Sequence, residues 1–270
     1  MPPAATVDAA WLAAHLRDPH LRVVEVDVSR GAYDTGHIPG AVLWNAYADL
    51  RDASYQPVDE TAMAELFTRS GISADTTVVV YGYAAPLGFW LLRASGLEDV
   101  RLLDGPRDAW VQSSQEWTTE APAPFGRGHT RPVLRHGDIA TRDDVRSAID
   151  DPGTVIVDVR SPAEYSGQRF WPSGATENTG RTGHVPGAVS VPIDLLRDDR
   201  AELRDARDLQ RAFDDAGVSR DKAVITYCTI GNRAAQAWYA LKYVLGYPDV
   251  RVYYGSWVDW GNQEDTPVDT

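Results

Sequence analysis

Short runs of apolar, β-branched residues alternate along this chain with stretches in which apolar residues recur at helical spacing. Helical patterns that begin after Thr6 and Thr141 have a capping side chain before the first turn. Strands that alternate with helices predict parallel α/β sheets flanked by helices. Four of the apolar runs have the length and composition of buried strands: residues 23–28, 77–81, 154–159 and 223–227.

The chain also contains an internal duplication. Residues 35–42, Thr-Gly-His-Ile-Pro-Gly-Ala-Val, return almost unchanged as residues 182–189, a separation of 147 residues. Three further segments recur in the same order at separations of 131, 146 and 150 residues. A repeat of this length is too long for a solenoid and suits two domains. We expect α/β domains over residues 1–122 and 138–270, joined by a Pro- and Gly-rich linker over residues 123–137.

The separation between matched positions changes at two places. It rises from 131 residues, for Asp27 and Asp158, to 147 at the Gly-His turn. We therefore expect 16 extra residues in the second copy, roughly residues 166–181, close to its pocket. The second change occurs where Gly82 stands in place of Cys228, because the first copy is four residues shorter from there to its next matched tryptophan. One copy is equipped for nucleophilic chemistry and the other is not.

Cys228 is the only cysteine among the 270 residues. It follows an apolar run, and residues 234–241 have a helical pattern, so the thiol is predicted at a strand end that faces a helix N-terminus. Backbone N–H groups and the positive end of the helix dipole favour an anion at such a place. A thiolate is stabilised there, and the thiolate is the form of cysteine that attacks.

Together these features resemble the tandem-domain rhodaneses, the thiosulfate and 3-mercaptopyruvate sulfurtransferases. The resemblance covers almost the whole chain and implies two rhodanese-like domains, each a parallel sheet flanked by helices, with catalysis in the C-terminal copy. It implies that a sulfane sulfur moves from a donor to Cys228, giving a persulfide, and then to cyanide or a thiol. Besides the duplicated Gly-His-Ile/Val-Pro-Gly-Ala turn, the motifs that carry it are Asp-Val-Arg at 158–160, the loop at 228–233 and Gly-Ser-Trp-Val-Asp-Trp at 255–260.

The resemblance also assigns residues to the site. Arg160 matches a position that binds the anionic end of the donor. Arg233 adds a permanent positive charge at the rim of the loop. No metal and no other cofactor is implied, because backbone N–H groups of a curled loop stabilise the anion. The remaining substrate-binding positions belong to that loop: Thr229, Ile230, Gly231 and Asn232.

Three alternatives stay open at this point. Many thiosulfate-type loops carry a basic residue after the cysteine, so Thr229 leaves 3-mercaptopyruvate as a second donor. A cysteine-loop phosphatase is disfavoured, because Cys228 and Arg233 form Cys-x4-Arg, one residue too short to wrap a tetrahedral phosphoryl group. A non-catalytic binding module is disfavoured by the intact loop around Cys228, although the first copy fits that description.

Composition narrows the function classes further. The net charge of −13 argues against binding nucleic acid through its phosphates, while it leaves room for a local basic pocket. A lone cysteine forms no internal disulfide, so the fold needs no oxidising compartment. The N-terminus lacks the pattern of a secretory signal, and the apolar stretches are too interrupted to cross a membrane. We expect a cytoplasmic monomer whose partners are a small anionic sulfur donor and a thiol or cyanide acceptor.

Overall fold

The computed structural model describes residues 5–53, 55–105, 107–126, 128, 130–176 and 179–270. The chain divides into two compact units, Met1–Asp52 with Pro57–Arg135 and Ala53–Gln56 with His136–Thr270. Within the described residues, each unit contains one five-stranded sheet whose strand pairs are all parallel. The predicted fold class is therefore confirmed.

The first unit has the sheet order β1-β5-β4-β2-β3, which places the apolar strands β4 and β2 between their neighbours. Its strands are β1 Thr6–Val7, β2 Leu21–Asp27, β3 Val42–Asn45, β4 Thr77–Tyr81 and β5 Val100–Leu103. Its helices are α1 Ala9–His15, α2 Gly31–Asp34, α3 Glu60–Arg69, α4 Ala85–Ala94 and α5 Arg107–Gln112.

The second unit repeats this order as β6-β10-β9-β7-β8. Its strands are β6 Ile139–Ala140, β7 Thr154–Asp158, β8 Val189–Ser190, β9 Ala223–Tyr227 and β10 Val250–Tyr253. Its helices are α6 Arg142–Ala148, α7 Pro162–Tyr165, α8 Ile193–Leu196, α9 Ala206–Asp215, α10 Asn232–Tyr239 and α11 Ser256–Trp260. A 3₁₀ turn, His136–Asp138, precedes β6, and a π-helical turn, Ala240–Val244, continues α10. Among the described helices, none is long and apolar enough to span a bilayer.

The two predicted helix caps have different outcomes. Thr141 caps α6 in a reciprocal capping box with Asp144, as predicted. The expectation that Thr6 caps the first helix is wrong. Thr6 lies in the edge strand β1 beside β5, and the Asp8 side chain accepts the hydrogen bond from Trp11 N–H at 2.6 Å. Because β1 uses the backbone before Asp8 for pairing, α1 begins later than the apolar pattern suggests.

The sheet register corrects the alignment of the two copies. Tyr81 lies opposite Glu25 in the first sheet, and Tyr227 lies opposite Asp158 in the second. Glu25 is therefore the counterpart of Asp158, 133 residues away, whereas the sequence match gave 131. The extra segment of the second copy is accordingly 14 residues rather than 16, counted to the Gly-His turn. The apolar letters of β2 and β7 match in two registers, and strand pairing decides between them.

The histidines of the Gly-His turns have the same environment in both copies. His37 stacks on Tyr33 and hydrogen-bonds its carbonyl oxygen at 3.0 Å. His184 stacks on Tyr165 and bonds its carbonyl oxygen at 2.9 Å. Since one copy has no cysteine at the strand end, this shared arrangement supports a structural role for both histidines.

The predicted linker runs along the first unit. Val133 N–H donates to the Ser95 carbonyl oxygen at 3.2 Å, and Arg135 N–H donates to that of Ala94 at 2.6 Å. Residues 127 and 129, which the linker prediction includes, lie outside the described residues.

Gly82 occupies the strand end that Cys228 occupies in the second unit. Its φ is +103°, a backbone conformation that residues with a Cβ rarely adopt. A Cβ built there would lie 2.7 Å from the carbonyl oxygen of Val26. The same oxygen accepts the N–H of Ala84 at 2.9 Å, which ties the loop to β2. This copy has no room for a side chain, a thiol included, at the position of the nucleophile.

Replacing Gly82 with alanine is expected to lower the free energy of unfolding by about 2 to 3 kcal/mol, because the clash with Val26 adds to the backbone strain. Gly40→Ala is the matched control. Gly40 has a φ of +78°, and a Cβ there meets nothing within 4 Å, so the cost should be about 1 kcal/mol. Urea denaturation measures both losses, and equal values would contradict the clash.

Candidate active site

Cys228 lies directly after β9, at the carboxyl end of the sheet, and α10 begins four residues later at Asn232. The residue is 1% exposed. Its sulfur accepts a hydrogen bond from the N–H of Gly231 at 3.0 Å. Gly231 has a φ of +93°, and this left-handed turn, which glycine adopts without steric cost, directs its N–H back to the sulfur.

The first turn of α10 presents further donors beside the thiol. The first hydrogen bond that closes the helix runs from the N–H of Ala235 to the carbonyl oxygen of Gly231. The N–H groups of Asn232, Arg233 and Ala234 therefore have no acceptor within the helix. They lie at the positive end of the helix dipole. A thiolate or a persulfide anion is stabilised in such an environment.

The start of α11 holds the backbone of the cysteine. Trp257 N–H donates to the Cys228 carbonyl oxygen at 2.9 Å. The Ser256 hydroxyl accepts the N–H of Cys228 at 3.2 Å and donates to the Tyr253 carbonyl oxygen at 2.9 Å. Ser256 is fully buried and has a φ of +53°. This is a strained conformation for a residue with a Cβ, of the kind that folds maintain at functional sites.

Glu164 of α7 places a fully buried carboxylate against the loop. It accepts two hydrogen bonds from the Arg233 guanidinium, at 2.8 and 2.9 Å, and one from the Thr229 hydroxyl at 2.6 Å. The Ser161 N–H and hydroxyl also donate to it. Burial acts to raise the pKa of Glu164, but the bonds from Arg233, Thr229 and Ser161 outweigh it and lower the pKa to about 2. Burial likewise acts to lower the pKa of Arg233, but Glu164 and Cys228 raise it above its ordinary value.

Arg160 follows β7 and is fully buried. Its Nε lies 3.0 Å from both carboxylate oxygens of Asp158, and its Nη2 donates to Asp158 at 2.6 Å and to the Gly183 carbonyl oxygen at 2.7 Å. The guanidinium carbon lies 4.4 Å from the ring centroid of Trp257. Burial acts to lower the pKa of Arg160, but the charge of Asp158 raises it above its ordinary value. Nη1 is buried and has no hydrogen-bond partner among the described residues.

The predicted site residues thus fall into two groups. Cys228 and the backbone of its loop come together at the N-terminus of α10, and Thr229 and Arg233 are bound to Glu164. Arg160 pairs with Asp158 rather than with Glu164, the partner considered from the sequence, and its binding of the donor stays a prediction. The Ile230 side chain packs against the core of the unit. In the described ranges no group of three or more His, Cys, Asp or Glu residues is placed to hold a metal ion.

Glu164, Ser256 and Arg169 were not predicted as site residues. Residues 161–164 do carry the Ser-x-x-Glu pattern of a capping box, which forms as expected at the start of α7. That pattern gives no sign that the same carboxylate also binds the loop. Arg169 donates from Nη2 to the Ser161 hydroxyl at 3.2 Å, and its Nε is buried with no acceptor in the described part of the chain.

The extra segment of the second copy lines a cavity of about 670 Å³ in the second unit. The N–H of Val258, in the cavity wall, donates to the Thr229 carbonyl oxygen at 3.0 Å, so the wall and the cysteine loop are directly bonded. Residues 177 and 178 of the segment lie outside the described residues. The cavity is lined by aromatic and uncharged polar residues: Tyr55, Trp171, Ser173, Ala175, Thr179, Val258 and Asn262.

Comparison with known proteins identifies relatives of both units. The family model of the rhodanese-like domain matches residues 8–113 and again residues 141–263. The sulfur carrier protein TtuD of Thermus thermophilus is 39% identical over 276 residues, which cover 98% of this chain and 96% of that protein. A thiosulfate sulfurtransferase of Corynebacterium glutamicum is 38% identical over 279 residues, or 99% and 91%. The solved structure of wild-type EanB has the same fold, with a TM-score of 0.88 and 24% identity over 98% of this chain and 69% of that one.

The lowered pKa of Glu164, about 2 against the ordinary value of 4.5, predicts an acid-sensitive contribution to stability. The ionised carboxylate contributes fully above about pH 4.5, and the contribution is lost as the pH falls towards 2. The difference in unfolding free energy between the wild type and Glu164→Gln should therefore shrink over this range. Urea denaturation at a series of pH values measures it, and a difference that stays constant would contradict the assignment.

Replacing Arg160 with methionine is expected to cost about 3 to 5 kcal/mol of unfolding free energy, because it leaves the Asp158 charge buried and unpaired. The double variant Asp158→Asn with Arg160→Met should lose less than the sum of the single losses, since no charge remains unpaired. Additive losses in urea denaturation would show that the two side chains do not act as a buried pair.

Proposed function

The chain belongs to the rhodanese-like family and is a sulfurtransferase, and we propose that it carries sulfane sulfur from thiosulfate, or a similar donor, to cyanide or a thiol through a persulfide on Cys228. The observation that carries this proposal is the hydrogen bond from Gly231 N–H to the Cys228 sulfur at the N-terminus of α10. It aims a backbone donor at the sulfur, where negative charge resides before and after transfer.

The transfer proceeds in two displacements. The Cys228 thiolate attacks the outer sulfur of thiosulfate, the sulfur–sulfur bond of the donor breaks, and its electron pair leaves with sulfite. The resulting persulfide carries its negative charge on the terminal sulfur, within reach of the loop N–H groups. The acceptor, cyanide or a thiolate, then attacks that terminal sulfur. The bond to the Cys228 sulfur breaks, and the thiolate is restored as thiocyanate or the acceptor persulfide leaves.

The charges around the loop favour a donor that is held largely by hydrogen bonds. Arg160 and Arg233 are each paired with a buried carboxylate. Arg169 has a buried guanidinium N–H without an acceptor among the described residues, so it can bind an anion without breaking an ion pair. The same donors suit the sulfonate end of thiosulfate and the carboxylate of 3-mercaptopyruvate, which is therefore the alternative donor.

The names of the relatives support the two halves of the proposal. The relative from Corynebacterium glutamicum is named a thiosulfate sulfurtransferase, which supports thiosulfate as the donor. The relative from Thermus thermophilus is named a sulfur carrier protein, which supports a bound sulfur that is passed to a further acceptor.

Intact-mass spectrometry tests the intermediate directly. Treatment with thiosulfate should add one sulfur atom to the wild-type chain at Cys228, and Cys228→Ser should gain none. That variant should lose thiosulfate:cyanide transfer completely while it keeps its circular dichroism spectrum and melting temperature. Transfer by the serine variant, or a stable adduct elsewhere in the wild type, would contradict the mechanism. The same treatment with 3-mercaptopyruvate decides between the donors, since the preferred donor loads Cys228 at the lower concentration.

A further inference from the structure

A buried carboxylate beside the cysteine loop has no step in the sulfur transfer. Glu164 is fully buried, and its carboxylate binds the loop through two residues, Thr229 and Arg233. Thr229 follows the nucleophile directly, and Arg233 lies in the first turn of α10, whose N–H groups face the sulfur. Glu164 therefore fixes both sides of the turn that surrounds Cys228.

The three side chains form a closed triangle of hydrogen bonds. Both guanidinium nitrogens of Arg233 donate to Glu164, the Thr229 hydroxyl donates to Glu164, and Arg233 Nη2 lies 2.6 Å from the same hydroxyl oxygen. Two parallel charged hydrogen bonds define the orientation of a guanidinium more strictly than one. The triangle leaves the Arg233 side chain committed to Glu164, and a donor in the loop would have to break this pair to use it.

The pair also sets the charge next to the nucleophile. Arg233 interacts electrostatically with Cys228 as well as with Glu164. Because Glu164 is ionised, with its pKa lowered to about 2, it offsets the positive charge of Arg233 at the sulfur. The uncharged backbone N–H groups of the loop are left to meet the incoming anion.

The first copy provides an internal comparison. Tyr33 and Tyr165 are counterparts, because each stacks on the histidine of its Gly-His turn and donates its hydroxyl to a carbonyl oxygen after that turn, at 2.7 Å in both copies. The residue before Tyr165 is Glu164, and the residue before Tyr33 is Ala32. The copy without the cysteine thus also lacks the carboxylate, while it keeps the surrounding turn.

We propose that Glu164 is the positioning residue of the cysteine loop: it holds Thr229 and Arg233 in place and neutralises Arg233, so that backbone N–H groups, and not this guanidinium, receive the donor's charge. This inference rests on the proposed transfer through Cys228 for its effect on turnover. Its electrostatic part depends only on the presence of the thiol, and the two parts are measured separately.

Alkylation of Cys228 by iodoacetate and by iodoacetamide separates charge from access, because the reagents are similar in size and differ in charge. In Glu164→Gln the Arg233 charge is no longer offset, so the rate ratio of iodoacetate to iodoacetamide should rise by about threefold or more over the wild type. A general loosening of the loop would change both rates and leave the ratio unchanged. The kcat with thiosulfate should fall by about tenfold or more, because the loop is no longer held, without a matching rise in KM.

Two further variants keep the test informative if Glu164→Gln folds poorly. Glu164→Asp keeps the charge and shortens the reach, and Thr229→Val removes the shared hydroxyl without changing any charge. Both should keep the wild-type alkylation ratio and lower kcat. Glu25→Gln is the matched control, because Glu25 is an equally buried glutamate paired with Arg107 in the first unit. It should change neither the ratio nor kcat.

The outcomes separate the two proposals. A wild-type ratio in Glu164→Gln, or wild-type kcat in both Glu164→Asp and Thr229→Val, overturns the role of Glu164 even if thiosulfate loads Cys228. If thiosulfate does not load Cys228, the proposed function fails, while the alkylation ratio still reports on Glu164.

Discussion

A carboxylate buried at the end of a central strand has to be paired, and both halves of this chain are arranged around that requirement. Glu25 ends its pairing with β4 opposite Tyr81, whose hydroxyl donates to it. Asp158 lies opposite Tyr227, whose hydroxyl donates to it at 2.5 Å. Each tyrosine oxygen in turn accepts a backbone N–H of the Gly-His turn at 3.2 Å. The turn that recurs in the sequence is thus connected to the sheet through a buried charge in each copy.

The cation that completes the cluster comes from a different element in each copy. Arg107, in α5, pairs with the first carboxylate and donates to the Gly36 carbonyl oxygen. Arg160, after β7, pairs with the second and donates to the Gly183 carbonyl oxygen, the counterpart of Gly36. The counterpart of Arg107, 150 residues later, is Trp257, which covers Arg160 and donates its N–H to the cysteine carbonyl oxygen. Moving the cation to β7 leaves the start of α11 available to support the catalytic loop.

Local patterns predicted the parallel sheets, the Thr141 cap and the cysteine at a strand end, because these depend on neighbouring residues and on burial. The Thr6 cap and the 131-residue separation were wrong, because strand pairing decided both and similar apolar letters fit two registers. Glu164 reaches Thr229 and Arg233 across 65 and 69 residues of sequence, so only the packing of α7 against α10 reveals its role. The same packing gave Arg160 a different carboxylate from the one its sequence neighbourhood suggested.

The central claim is that one of two similar units carries one sulfur at a time, on Cys228. Release of sulfite in a single turnover tests it most directly, because sulfite leaves when the persulfide forms and no acceptor is needed. Mixing the chain with excess thiosulfate and no acceptor should release one sulfite per chain in a rapid phase, and Cys228→Ser should release none. A rapid phase of the same size in the serine variant, or its absence in the wild type, would contradict the account.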